Sequence, residues 1–211
     1  MLSYPLMQPK FLYFDLGKVL VDFSVDQMLG QMGAVAGIAA EEVRAAIFGG
    51  ELMQQYESGR LSERQFYEAF CTATGKRPDY DALATAASDI FTLNLPMLPL
   101  VAHLCQAGYP MGILSNTCAM HWDYCLRRYR MVAEGFTIHA LSFRIGTVKP
   151  GAAIFHAAAE LAGVRPEEIF FVDDIAEHVA GARAVGFDAV QFTTTAALAA
   201  ELRQRGIRFN Y

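Results

Sequence analysis

Short apolar runs alternate with longer amphipathic segments along most of the chain. Residues 11–15, FLYFD, are apolar until the final aspartate, which predicts a strand buried on both faces. After the segment LPMLPL, four more strand-like runs are separated by segments with helical spacing: MGILS, FTIHALS, EEIFFVDD and DAVQF. Strands that alternate with helices imply right-handed crossovers. The pattern therefore predicts an α/β fold with a doubly wound parallel sheet, closed by a final helix and short tail over ELRQRGIRFNY.

The stretch from about Ser24 to Phe91 has a different rhythm. Its apolar residues recur at spacings of three and four, glycines interrupt them, and no convincing strand pattern is present. Ser62, followed three residues later by Gln65, matches a capping box and predicts a helix start there. We therefore expect a small helical domain at residues 24–91, inserted into a core made of residues 1–23 and 92–211.

Polar side chains end three of the predicted strands. Asp15 ends the first, Ser115 ends MGILS, and Asp173 and Asp174 end EEIFFVDD. The carboxyl ends of parallel strands lie at one edge of a sheet, so these side chains should converge. Lys149, just before a predicted helix in GTVKPGAAIF, would join them.

This group is chemically coherent. Carboxylates suit Mg²⁺, which prefers hard oxygen ligands, and a lysine, a hydroxyl and backbone N–H groups suit a phosphate. One carboxylate could also attack phosphorus and form an aspartyl-phosphate. Each residue alone has an ordinary structural explanation as a turn residue, a helix cap or a solvated charge. The ordered occurrence of all of them favours a site.

Composition bears on which partners and which cellular location are expected. The 211 residues carry 17 basic and 22 acidic side chains, a net charge of −5 without a basic stripe, so nucleic acid is not an expected partner. Neither a signal-peptide core nor an apolar run of about 20 residues is present, so no membrane partner is expected. Free cysteines without zinc spacing indicate a reducing, cytoplasmic location. They are Cys71, Cys105, Cys118 and Cys125.

Four motifs together resemble the haloacid dehalogenase superfamily: FDLGKVLVD, GILSNT, GTVKP and FFVDD. The helical insert is similar to the small cap that this superfamily places between the first two motifs. More narrowly, FDLGKVLVDF, YESGRLSERQFYEAF, LSNT and VDD with GARAVG resemble the subgroup that contains bacterial α-D-glucose-1-phosphate phosphatase. The resemblance implies a Rossmann-like core with a small α-helical cap.

The resemblance also implies roles for the clustered residues. Asp15 would be the nucleophile, and its carboxylate would bind Mg²⁺ together with the backbone carbonyl of Gly17. Asp174 and Asp173 would complete the metal site directly or through water.

The phosphoryl group would have its own contacts. Ser115 and Asn116 would bind the phosphoryl oxygens. Lys149 would offset the negative charge that builds up in the transition state.

One position departs from the superfamily pattern. A second aspartate, acting as general acid and base, usually follows the nucleophile by two residues, and here that residue is Gly17. The glucose-1-phosphatase-like subgroup also has glycine there. Either another group or a water protonates the leaving oxygen, or the substrate needs little help, as a sugar 1-phosphate would. Glu57 and His121 are possible stand-ins, although a solvated glutamate and a helix-surface histidine are the simpler interpretations.

Two further charged residues have open roles. His178, in the helix after the fourth motif, could simply order its loop. Lys18 is interpreted as a solvated turn lysine, with an additional charge near the substrate as the alternative.

Three functions follow from these expectations. The leading one is an Mg²⁺-dependent phosphatase for a small phosphorylated metabolite, with a sugar phosphate favoured. A 2-haloacid dehalogenase-type hydrolase is the second, and the pair Asp173/Asp174 argues against it because that chemistry needs no metal. The third is a non-catalytic binding protein that has lost its general acid. The sequence leaves open the substrate, the direct metal ligand of the Asp pair, and whether the chain is a monomer or a homodimer.

Overall fold

The computed structural model describes residues 8–210. These residues contain seven strands: β1 (Phe11–Phe14), β2 (Val21–Phe23), β3 (Phe91–Leu93), β4 (Met111–Ser115), β5 (Ile138–Leu141), β6 (Ile169–Asp173) and β7 (Asp188–Gln191). They also contain twelve α-helices: α1 (Val25–Ala36), α2 (Ala40–Phe48), α3 (Leu52–Glu57), α4 (Glu63–Thr74), α5 (Tyr80–Ser88), α6 (Met97–Gln106), α7 (Ala119–Arg128), α8 (Arg130–Glu134), α9 (Ser142–Ile145), α10 (Ala152–Ala162), α11 (Ala176–Ala184) and α12 (Thr195–Gln204). A 3₁₀ turn covers Pro166–Glu168.

The central sheet has five strands in the order β5-β4-β1-β6-β7, and every neighbouring pair is parallel. Strand β1 lies in the middle, between β4 and β6. The predicted doubly wound parallel sheet is therefore confirmed. Its consequence is that the carboxyl ends of β1, β4 and β6 meet at one edge.

Both faces of the sheet are covered, which explains why its strands are apolar nearly throughout. Leu12 and Phe14 of β1 contribute to a core with α6, α7 and α12, whereas Phe11 and Tyr13 point to the opposite core with α10 and α11. Tyr13 is fully buried, and its hydroxyl donates to the carbonyl of Ala158 at 2.9 Å. That bond offsets the cost of burying a polar group within the second core.

Helices α1 to α5 form the insert between β2 and β3. The capping box is present, since Ser62 Oγ accepts from Gln65 N and Gln65 Oε1 accepts from Ser62 N. Strands β2 and β3 form a separate two-stranded antiparallel ribbon, which we call the cap ribbon. The sequence interpretation missed this ribbon and assigned Phe91 to the helical block, although Phe91 is the first residue of β3.

The division into core and cap at residues 24–91 is otherwise compatible with these elements and remains a proposal. Residues 1–7 and Tyr211 of the predicted core lie outside the described residues. The final helix, α12, begins at Thr195, well before ELRQRG, because the Thr194 side chain caps it by accepting from Ala197 N. Within the part of the chain that the structure describes, no helix is long and apolar enough to cross a bilayer.

Candidate active site

Asp15 lies directly after β1, at the carboxyl edge of the sheet. Its backbone N–H still donates to the Val172 carbonyl of β6 at 2.9 Å, so the main chain leaves the sheet only after this residue. The Leu16 N–H donates to Asp15 Oδ1 at 2.7 Å, and the residue is 7% exposed. Burial raises the pKa of Asp15, while the charge of Lys149 opposes that rise.

Lys149 lies between two carboxylates. Its Nζ is 3.0 Å from Asp15 Oδ1 and 2.5 Å from Asp173 Oδ2, and it also donates to the Leu114 carbonyl at 3.1 Å. These three acceptors match the three donors of an ammonium group. Because the Lys149 side chain is fully buried, its charge is compensated by pairing rather than by water.

Asp173 is occupied by donors on both oxygens. Its Oδ1 accepts from Ile175 N at 2.8 Å, its Oδ2 accepts from Lys149, and His178 Nδ1 lies 3.1 and 3.0 Å from the two oxygens. Burial by itself would raise the pKa of Asp173, but the hydrogen bonds from His178 and Lys149 lower it. His178 therefore orders the loop after β6 through Asp173.

Asp174 is half-buried beside this pair. Burial and the neighbouring Asp173 charge raise its pKa. One carboxylate oxygen from each of Asp15, Asp173 and Asp174 lies within 4.8 Å of the others. Three carboxylates this close repel one another, and hard oxygen donors in such a group fit Mg²⁺.

Ser115 and Asn116 follow β4 at the same edge. Ser115 is buried, and its Oγ donates to the carbonyl of Asn116 at 3.4 Å. The Asn116 side chain is committed to the main chain of Lys149: its Nδ2 donates to the Lys149 carbonyl at 3.0 Å, and Lys149 N donates to its Oδ1 at 2.7 Å. The amide therefore holds the Lys149 loop against the end of β4, a task that the sequence interpretation did not assign to it.

Gly17 lies against the cap ribbon. A Cβ atom at Gly17 would lie 2.8 Å from Cε1 of Phe23, so the phenyl ring occupies the space that a side chain there would need. Lys18 adopts φ 59°, donates to the Phe23 carbonyl at 2.8 Å and lies 4.8 Å from the centre of the Phe23 ring. These contacts give Lys18 a structural role in fastening the ribbon.

A cavity of about 160 Å³ lies between the sheet edge and the cap. Gly17, Ser115, Asn116 and Thr117 line it from the core. The other lining residues come largely from the cap and the cap ribbon. Two of them, Glu57 and His121, are titratable. The rest are apolar: Leu16, Phe23, Val25, Met28, Phe48, Met53, Ile90 and Phe91.

The two titratable groups of this cavity are perturbed in opposite ways. Burial raises the pKa of Glu57 to about 7 and lowers the pKa of His121 to about 4. The His121 Nε2 lies 3.1 Å from the carbonyl of Ala87, and its ring packs edge-on against Phe91. His121 is thus a half-buried, neutral residue and not a solvated surface histidine.

Ser142 is a site-proximal residue that the sequence interpretation missed. It directly follows β5, and its Oγ lies 2.6 Å from the carbonyl of Glu57 and accepts from Thr117 N at 2.9 Å. It therefore connects the cap to the loop after β4. The rule that identified Asp15 and Ser115, a polar residue at the end of an apolar strand, would also have found it.

The chain resembles several known proteins. Residues 10–186 match the haloacid dehalogenase-like hydrolases. A D-ribitol-5-phosphate phosphatase of Bacteroides thetaiotaomicron is 26% identical over 200 residues, covering 86% of this chain and 91% of that protein. The structure of a haloacid dehalogenase family enzyme from the same organism, in complex with magnesium and inorganic phosphate, superposes with a TM-score of 0.79 at 24% identity, covering 89% of this chain and 96% of that one. L-2-haloacid dehalogenase from Xanthobacter autotrophicus, with chloropropionic acid covalently bound, gives a TM-score of 0.63 at 21% identity, covering 95% and 84% of the two chains.

Proposed function

Because this chain belongs to the haloacid dehalogenase-like hydrolases, we propose that it is an Mg²⁺-dependent phosphatase acting on a small phosphorylated metabolite, through an aspartyl-phosphate on Asp15. The observation that carries the proposal is the buried Asp15–Lys149–Asp173 arrangement with the Asp174 carboxylate beside it. The relative that hydrolyses D-ribitol-5-phosphate supports a sugar or sugar-alcohol phosphate as the substrate class.

The donor set fits a magnesium ion, with the roles of the two neighbouring aspartates divided. Asp15, the Gly17 carbonyl and Asp174 would hold the ion, since Asp173 is already hydrogen-bonded to Lys149, His178 and Ile175 N. Asp173 then acts mainly by positioning Lys149. When bound, Mg²⁺ would supply positive charge that offsets the phosphoryl oxygens and the three carboxylates.

The chain's own residues perform the displacement. The Asp15 carboxylate attacks phosphorus, and the bond between phosphorus and the ester oxygen breaks. Lys149 offsets charge on Asp15 and on the transferred group, and the Ser115 hydroxyl turns from the Asn116 carbonyl to donate to a phosphoryl oxygen. Water then attacks the aspartyl-phosphate, which restores Asp15 and releases phosphate.

The dehalogenase alternative shares the fold, as the similarity to L-2-haloacid dehalogenase indicates. Dehalogenase chemistry needs no metal and so has no use for the third carboxylate, Asp174. In a cation-dependent phosphatase, Asp174 would bind the cation. The binding-protein alternative is weaker because the nucleophile, its lysine and the acidic group are all assembled in one place.

The test is product release from a substrate panel. D-ribitol-5-phosphate, a sugar 1-phosphate, 4-nitrophenyl phosphate and 2-chloropropionate are each incubated with Mg²⁺ or with a chelator. We expect phosphate release that needs Mg²⁺, is abolished in Asp15→Asn and persists in Asp22→Asn, an exposed aspartate of the cap ribbon. Chloride release without phosphate release would establish the dehalogenase, and Mg²⁺ binding without any turnover would establish a binding protein.

A further inference from the structure

The chemistry proposed above needs a proton donor that position 17 cannot supply. The alcohol that leaves phosphorus must be protonated, and Gly17 has no side chain to do it. Phe23 fills the adjacent space, so no other residue replaces that side chain from the same place. The titratable side chains that line the cavity within the described residues are Glu57 and His121.

We propose that Glu57 is the general acid and base of this enzyme, delivered from the cap to the leaving-group oxygen in place of the acid absent at Gly17. This inference rests on the proposed phosphatase function. It follows from the location of Glu57 in the lining of the same cavity that Gly17, Ser115 and Asn116 line from the core.

The position of Glu57 is fixed by contacts between the cap and the core on both of its sides. The hydroxyl of the preceding residue, Tyr56, accepts from Met120 N at 3.3 Å. The Glu57 carbonyl contacts Ser142 Oγ, as described above. At Gly59, φ is 69° and a Cβ atom would lie 2.1 Å from the Phe143 carbonyl, so the backbones touch there. The end of α3 is thereby held against the first turns of α7 and α9.

The Glu57 carboxylate is free for this task. Among the described residues, no hydrogen bond or ion pair engages its oxygens. The thiol of Cys118 interacts with it electrostatically and is neutral, because burial raises the pKa of that thiol. Charged residues on the helices packed against α3 have partners elsewhere: Arg44 pairs with Asp26, Glu63 accepts from Tyr80, and Arg144 lies over Trp122 and Phe143.

His121 is unsuited to the role. An acid must carry a proton at the working pH, and burial keeps the pKa of His121 near 4. Its Nε2 is also engaged with the Ala87 carbonyl. Glu57, whose pKa is raised to about 7 by the same kind of burial, can both hold and release a proton near neutral pH.

The two half-reactions then balance. In the first, Asp15 forms a bond to phosphorus, the bond from phosphorus to the substrate oxygen breaks, and that oxygen takes the proton of the Glu57 carboxyl group. In the second, the Glu57 carboxylate removes a proton from water as the water attacks phosphorus and the Asp15–phosphorus bond breaks. Phosphate leaves, and Glu57 is again protonated.

The experiment compares Glu57→Gln with wild type on two leaving groups. A poor leaving group, the alcohol of an alkyl phosphate, needs the acid, whereas 4-nitrophenolate does not. We expect kcat/KM of Glu57→Gln to fall by about 10²–10⁴-fold for the alkyl ester and by less than about tenfold for the aryl ester. The aryl ester should also show a burst of one nitrophenolate per site followed by slow turnover, because the base for the second step is missing. Glu51→Gln, the same change at the exposed start of α3, is the matched control.

Outcomes separate the two proposals. An active wild type whose Glu57→Gln variant loses both esters equally, or neither, overturns the role of Glu57 alone. A wild type that hydrolyses no ester overturns both. If Glu57→Gln does not fold, the pH profile of wild type decides: kcat/KM for the alkyl ester should decline above about pH 7 as Glu57 ionises, whereas that for the aryl ester should not. Matching profiles would overturn the assignment.

Discussion

The contact between Gly17 and Phe23 predicts a measurable energetic coupling. In Gly17→Ala the new methyl group would lie 2.8 Å from Phe23 Cε1, well inside ordinary van der Waals contact. Lys18 Nζ, 4.8 Å from the ring centre, and the Phe91 ring, 5.9 Å from it, flank the phenyl ring, which also borders the cavity. Overpacking of this kind costs about 1–3 kcal/mol, which we expect as the loss in free energy of unfolding.

A double-mutant cycle isolates that contact. In a Phe23→Ala background the methyl group has space, and Gly17 does not have a positive φ, so Gly17→Ala should be neutral or stabilise by about 0.4–1 kcal/mol. The coupling energy should therefore be about 1–3 kcal/mol, measured by urea unfolding of the four proteins.

The control is Gly30→Ala. Gly30 is an exposed position of α1 where a Cβ atom meets nothing within 4 Å, so alanine should stabilise by about 0.5–1 kcal/mol. A coupling energy below about 0.5 kcal/mol between positions 17 and 23 would refute the steric argument. A confirmed coupling would explain why an aspartate at position 17 is incompatible with this ribbon.

Two further predictions concern the buried charges. Lys149→Met should lower the free energy of unfolding at pH 7 by about 3–5 kcal/mol, because it removes the buried cation that Asp15 and Asp173 share; Lys76→Met, at an exposed lysine, should cost less than about 1 kcal/mol, and equal losses in urea unfolding would contradict this account. Burial raises the pKa of Glu57 from 4.5 to about 7, so the stability that its protonated form contributes is present below pH 4.5 and is lost as the pH rises through about 7. The free energy of unfolding of wild type should therefore fall relative to that of Glu57→Gln between pH 4 and pH 8. A difference between the two proteins that does not change with pH would show that the pKa of Glu57 is not perturbed.

The sheet and its edge were predictable because they depend on periodicity. Uninterrupted apolar runs indicated strands with both faces covered, and parallel strands align their carboxyl ends. The topology of the sheet is therefore enough to predict that Asp15, Ser115 and Asp173 lie close together. Lys149, which was expected at the same edge, lies between the two aspartates.

The rest depended on contacts that no local pattern encodes. The cap ribbon pairs two three-residue strands separated by the whole helical insert, and runs this short carry almost no periodic signal. The closeness of Phe23 to Gly17 follows from that ribbon. Likewise, the donors that occupy Asp173 come from positions 149, 175 and 178, and only the folded geometry brings them together on that aspartate.

The contacts of Tyr56, Glu57 and Gly59 with the core, which we call the seam, affect how substrate reaches the cavity. The cap is covalently joined to the core through the ribbon, and the seam is a second attachment that must break before the cap can lift. Two hydrogen bonds, Ser142 to Glu57 and Met120 to Tyr56, each contribute about 0.5–1.5 kcal/mol. Breaking these two bonds alone would cost about 1–3 kcal/mol, and the contact of His121 with the Ala87 carbonyl would add to that cost, so fewer than roughly one molecule in six would be open. Without substrate, the cap would therefore be closed in most molecules, and the rate of product release would depend on how often the contacts of the seam break.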